Sequence, residues 1–196
     1  MSPRIGVIPG DPSGIGPELV ARLLADDITH DAQILLIGDR HVFEMGQAQA
    51  GLSHDMTAVD ASQQDWSSVE GYALHEMTTI NPDEVVLAQS TESSGRSTLQ
   101  VLDQALEFVR TGVIDAIVFA PFNKASMHLA GIGHSDELHY MAEKLGVTGY
   151  ISELNTLDGM WTSRVTSHIA LRDVADVISA ERIEDATHLI DRTLRR

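Results

Sequence analysis

Short apolar runs alternate with stretches of helical periodicity from one end of this chain to the other. That alternation restricts the fold to the α/β class, with a largely parallel or mixed sheet. Strand-like runs occur at residues 4–9, 32–38 and 116–120, with shorter candidates at 57–59 and 72–74. Residues 164–171, RVTSHIAL, alternate like a further strand. Helical periodicity covers 18–25, where Pro17 suits a first turn, and 40–50. The clearest amphipathic helix is 98–111, with Leu99, Leu102, Ala105, Leu106 and Val109 on one face. Residues 135–145 read as a helix capped by Ser135 or Asp136. Two more helices are expected at 174–178 and 180–195, the second with Ile183, Ala186, Ile190 and Leu194 on one face. Asn81-Pro82-Asp83 is a turn. No repeat or linker marks a boundary within residues 1–196, which read as one N-terminal portion of a larger architecture: the sequence stops inside a helix with no cap.

The formal net charge is −16. Nucleic acids and anionic membranes call for basic patches, so neither is an expected partner. An anionic substrate would need a local cationic or N–H cluster working against that field. With no cysteine there is no disulfide framework and no thiolate metal site. No apolar run approaches the ~18 residues of a spanning helix. The opening residues MSPRIGVIPG lack a signal-peptide apolar stretch. A cytoplasmic enzyme or binding protein is the expectation.

The chemistry-bearing residues gather after the run at 116–120, taken as a buried strand that delivers side chains at its carboxyl end. Pro121-Phe122-Asn123-Lys124 breaks that strand, leaving Lys124 either to pair with a substrate phosphate or carboxylate or to stand in solvent. His134 follows Gly131-Ile132-Gly133 and precedes Ser135. Imidazole, hydroxyl and helix N-terminal N–H groups can converge there on one anion. His139 is five residues on, not at the i, i+4 spacing of a zinc helix, and reads as structural. Asp136 and Glu137 are ordinary first-turn acids. His168 shares a strand face with Thr166 and Ala170; it is either a satisfied core histidine or a metal ligand. The loop GDPSGIGPE at 10–18 matches neither G-x-G-x-x-G nor the Walker P-loop. It is either a backbone cradle for an anion or a tight turn needed for packing.

Three blocks of this chain resemble the 4-hydroxythreonine-4-phosphate dehydrogenase family of vitamin B6 synthesis. They are the 10–18 loop, the stretch from Ala120-Pro121-Phe122-Asn123-Lys124 through Gly133-His134-Ser135-Asp136-Glu137, and Thr166-Ser167-His168-Ile169-Ala170-Leu171. The resemblance implies an isocitrate/isopropylmalate-dehydrogenase-like α/β/α fold and a homodimer with clefts between domains, truncated here on its C-terminal side. It implies NAD- or NADP-dependent oxidation of a secondary alcohol, with decarboxylation following in the biosynthetic enzyme. A divalent metal, zinc or a substitute, would be held by three histidines from both subunits. By match of position, His168 is the first metal histidine, while His134 and Ser135 match a substrate-contacting His-Thr pair. Lys124 joins them as a substrate contact, and the remaining metal ligands and cofactor contacts are expected beyond Arg196. Asp136 stands where the family has glutamate. The block around Asn123-Lys124 is closer to the paralogous branch acting on phosphorylated sugar acids such as threonate and erythronate. A more distant relative oxidises aromatic cis-dihydrodiols. Against the enzyme stands a second expectation, that these residues form an inactive fragment or an anion-binding module.

Overall fold

A computed structural model of the chain describes residues 2–134, 136–167 and 169–195. They divide into two compact units, Met1–His134 and Ser135–Arg196.

The first unit is built on five parallel strands: β1 (Arg4–Ile8), β2 (Gln33–Gly38), β3 (Met56–Ala58), β4 (Tyr72–Glu76) and β5 (Ala116–Phe119). Their order across the sheet is β3-β4-β2-β1-β5. Val7, Leu36 and Leu74 lie in register on one face. Two helices, α1 (Gly16–Leu24) and α2 (Arg40–Ala50), pack against each other. They bury Val20, Leu24 and Phe43 in the core that Val7, Leu36 and Leu74 share. The alternate strand positions face the other way, as period-2 alternation requires. On that side α3 (Glu92–Thr111) packs on β1, β2 and β5, and Phe108 meets the His75 ring edge-on at 4.8 Å. The unit is therefore an α/β/α sandwich, in keeping with the α/β fold expected.

Local chemistry sets the element ends. Pro17 sits in the first turn of α1, and α2 and α3 stop at Gly51 (φ 67°) and Gly112 (φ 73°), left-handed positions that favour glycine. α3 begins six residues before the expected 98, because the Thr91 hydroxyl accepts the Ser94 N–H at 3.1 Å and starts it there. Asn81 caps a short 3₁₀ turn, Pro82–Glu84. Strand β5 corrects one expectation. The sequence predicts a buried strand, whereas β5 pairs only with β1 among the described strands, and Val118 and Phe119 are 44% and 40% exposed. An apolar run reveals a strand without revealing whether it is central or at an edge.

In the second unit, α5 (Glu137–Lys144) is capped by Asp136, whose carboxylate accepts the His139 N–H at 3.0 Å. An antiparallel hairpin follows, β6 (Asn155–Leu157) and β7 (Met160–Thr162). Its tip, Asp158 (φ 36°) and Gly159 (φ 83°), has the paired positive φ angles of a type I′ turn. After it come α6 (Val174–Val177) and α7 (Ala180–Leu194), the latter capped by Ser179. The strand expected at 164–171 does not form among the described residues. Alternation there supplied a pattern, but among the described residues no neighbouring strand pairs with it.

Candidate functional site

The sheet order reverses at β1. The chain runs from β1 to β2 on one side, then returns through α3 to lay β5 on the other. In open α/β sheets such a switch point opens a crevice at the carboxyl ends of the strands. Here those ends lead into the loop at 10–18 and the segment Ala120 to Lys124.

Backbone contacts join these two segments. The Asp11 N–H donates to the Pro121 carbonyl at 3.1 Å, and the Ala120 N–H to Ile8 at 3.1 Å. Gly10 has φ +72°, and a Cβ there would lie 2.5 Å from the carbonyl oxygens of Ala120 and Pro121. Only glycine allows that approach. Asp11 is buried, and its carboxylate accepts the Ser13 N–H at 2.9 Å. A buried acid turned into the loop suits packing better than an anion cradle. Of the two readings of this loop, the close-packed turn is the one its geometry favours.

A third segment, the approach to α3, ties both loops together. The Ala88 N–H donates to the Ser13 carbonyl at 2.9 Å, and the hydroxyls of Ser13 and Ser94 meet at 2.7 Å. The Asn123 amide nitrogen donates to the Ser90 hydroxyl at 3.0 Å, and its Oδ1 accepts the Ser126 N–H at 3.2 Å. That second bond caps a helix the sequence reading passed over, α4 (Lys124–Leu129). Asn123 ahead of a helix-forming run was the available signal. Asp11, Ser13, Ser94 and Asn123 thus lock these three segments together at the carboxyl ends of β1 and β5. Their serine-rich, polar segments lack periodicity and are visible only once folded.

Lys124 opens α4 and is exposed. His134 ends the loop that follows α4 and is half-buried. That loop turns through Gly131 (φ 80°) and Gly133 (φ 74°), and buried Ile132 donates its N–H to Met127 at 3.1 Å. Ser135 and His168 lie outside the described residues. His139, read from sequence as structural, pairs through Nδ1 with the capping Asp136 at 2.7 Å. Among the described residues no group of three or more His, Asp or Glu side chains could hold a metal ion. They do not by themselves supply the centre that the resemblance implies.

Two shifted groups lie away from the crevice. Arg4 grips Asp115 at 2.7 Å at the amino-terminal ends of β1 and β5, and holds that carboxyl below the ordinary carboxylate range. Burial pushes His75 below the usual imidazole value, against the opposing charge of Asp60. No helix among the described residues is long and apolar enough to cross a membrane.

The family model for the pyridoxal phosphate biosynthetic protein PdxA matches residues 30–196. A Pseudomonas aeruginosa protein named "Putative 4-hydroxythreonine-4-phosphate dehydrogenase 2" is 45% identical over 195 residues, 99% of this chain and 58% of its own length. The crystal structure of a 4-hydroxythreonine-4-phosphate dehydrogenase from Burkholderia phymatum superposes with TM-score 0.84 at 26% identity, covering 99% of this chain and 58% of that one. The Klebsiella pneumoniae enzyme of the same name gives 0.87 at 24% identity, over 100% and 59%, and supports the fold. The chain thus spans somewhat over half the length of the relatives it matches.

Proposed function

Since the chain belongs to the PdxA family, we propose that the full-length protein is a metal- and NAD-dependent dehydrogenase of a phosphorylated or carboxylated hydroxy acid. The observation that carries this reading is the β1/β5 switch point, with Lys124 and His134 on the segment leaving the carboxyl end of β5. The 45% identical relative, named for 4-hydroxythreonine 4-phosphate, supports a phosphorylated substrate.

Oxidation of a secondary alcohol removes a hydride from the carbinol carbon, taken up by NAD or NADP, and a proton from its oxygen. A divalent metal, zinc by family resemblance, would supply the charge that lowers the pKa of that oxygen. His168 is the proposed ligand from this chain; one imidazole does not make a site, so the others must come from elsewhere. Lys124, His134 and Ser135 are assigned to orienting the anionic end of the substrate. In a molecule of net charge −16, that local set is what can draw an anion in. Two copies sharing each metal centre, in the cytoplasm, complete the reading.

The test is NAD or NADP reduction by the purified full-length protein with phosphorylated hydroxy acids, before and after chelation. Turnover lost on chelation and regained with zinc supports the proposal. Chelator-resistant turnover removes the metal from it, and no turnover with any such acid leaves the anion-binding alternative.

A further inference from the structure

Where β2 and β4 begin, a cavity of about 190 Å³ opens between Thr29, Gln33, Trp66 and Tyr72. Gln33 and Tyr72 are the first residues of their strands, so the cavity lies at the end of the sheet away from the switch-point loops. Its walls belong to the first unit. They are held in place before any ligand arrives. The Tyr72 hydroxyl donates to the Leu24 carbonyl at 2.5 Å, and the His54 ring meets Tyr72 edge-on at 5.8 Å. The Thr29 hydroxyl donates to the Asp26 carbonyl at 2.9 Å. Trp66 is only 5% exposed. A buried indole N–H ordinarily finds an acceptor. Among the described residues nothing accepts from Trp66 Nε1, and the Gln33 carboxamide makes no hydrogen bond either.

Charge and size narrow the ligand. Among the described residues no Lys or Arg lines the cavity. Asp31, Asp65 and Glu70 stand immediately beside lining residues in sequence. A phosphate or carboxylate would enter against that field with no cation to meet it. A cavity of roughly 150 Å³ holds a benzene ring, so about 190 Å³ takes one ring with a small substituent and not a nucleotide. Indole and phenol walls offer aromatic surface to such a ring. The Trp66 N–H calls for an acceptor on it, and Gln33 can both donate and accept.

We propose that this cavity is a binding site for an uncharged, single-ring heteroaromatic amide, with the ring between Trp66 and Tyr72 and the amide oxygen accepting from the Trp66 N–H. The site is separate from the anion-binding segment that leaves β5. Its occupancy is independent of the dehydrogenase chemistry proposed above, and it is read by binding rather than by turnover.

Isothermal titration calorimetry of the full-length protein tests it, with nicotinamide as the probe and nicotinate as the same ring bearing a carboxylate. Saturating NAD and NADP are present throughout to occupy any cofactor site. Nicotinamide binds saturably with a Kd of about 1 mM or tighter, in the range open to so small a ligand. Nicotinate binds at least about 10-fold more weakly, because its charge meets only acids. Trp66→Phe keeps the apolar bulk and removes the N–H, and weakens nicotinamide binding by about 5-fold or more. Ala32→Leu fills the cavity from its half-buried rim and abolishes binding, with unchanged far-UV circular dichroism. No saturable binding of nicotinamide, or equal affinity for nicotinate, overturns the proposal without any variant. Undiminished affinity in Trp66→Phe or in folded Ala32→Leu places the ligand elsewhere and overturns it as well.

Discussion

Leu36 in the first unit is fully buried in β2, while Leu157 in the second stands 69% exposed beside a hairpin turn. The two leucines represent their surroundings. Met1–His134 closes a core over both faces of a parallel sheet. In Ser135–Arg196 only Tyr140 and Ala186 are buried among the described residues, and α7 leaves Ile183 and Leu194 exposed along its apolar stripe. A crevice whose geometry must be held to fractions of an ångström belongs on the first kind of scaffold. Exposed apolar elements of the second kind acquire their order from what packs on them.

The sharpest way to break that contrast is to remove equal side chains from each unit. Leu36→Ala should cost about 2–5 kcal/mol in denaturant unfolding, whereas Leu157→Ala in dilute, monomeric protein should stay within about 0.5 kcal/mol. Equal losses would mean that the second unit has a core of its own. Next in size is Gly10→Ala, which forces a Cβ against the Ala120 and Pro121 carbonyls at a positive φ. It should destabilise by about 1–3 kcal/mol and disturb the crevice, read as lost amide protection around Asp11 and Asn123. Thr91→Ala, removing the cap of α3, should cost about 1 kcal/mol, with Thr91→Ser retaining most of it.

The smallest expected effect concerns pH. Burial holds His75 below its ordinary value of 6.5, so the unfolded chain takes up the proton first. Stability conferred by neutral His75 is complete above that value and is lost as pH falls from 6.5 through the lowered folded pKa. His75→Gln should flatten that slope, and a proton-NMR titration of His75 should give a midpoint below 6.5. A midpoint at or above it would contradict the burial argument.

Much of the first unit was legible in the sequence because its signals were local. Pro17, Gly51 and Gly112 punctuate helices, and the apolar runs at 4–9 and 32–38 leave little choice but strands. The exposure of β5 among the described residues was not legible, since it depends on which strands pair with it. Nor was the polar frame of the crevice: Ser13, Ser94 and Asn123 meet only after α3 crosses the sheet. In the second unit the reading erred in both directions. It placed a strand at 164–171 on alternation alone, and it passed over Asp158-Gly159, a hairpin signal with a backbone reason behind it. Residue context at a strand end, a glycine turn and an alternating run singled out Lys124, His134, Ser135 and His168 as candidates, and the resemblance is what gave each an expected role.

The central claim, that the segment leaving β5 binds the anionic end of the substrate, is tested most directly by steady-state kinetics of His134→Ala in the full-length protein, with metal content measured on the same samples. The account predicts a loss in kcat/KM worth roughly 1.5–3 kcal/mol, carried mainly by KM, with metal content unchanged. A variant that loses its metal while keeping its KM would contradict it and would place His134 among the metal ligands instead.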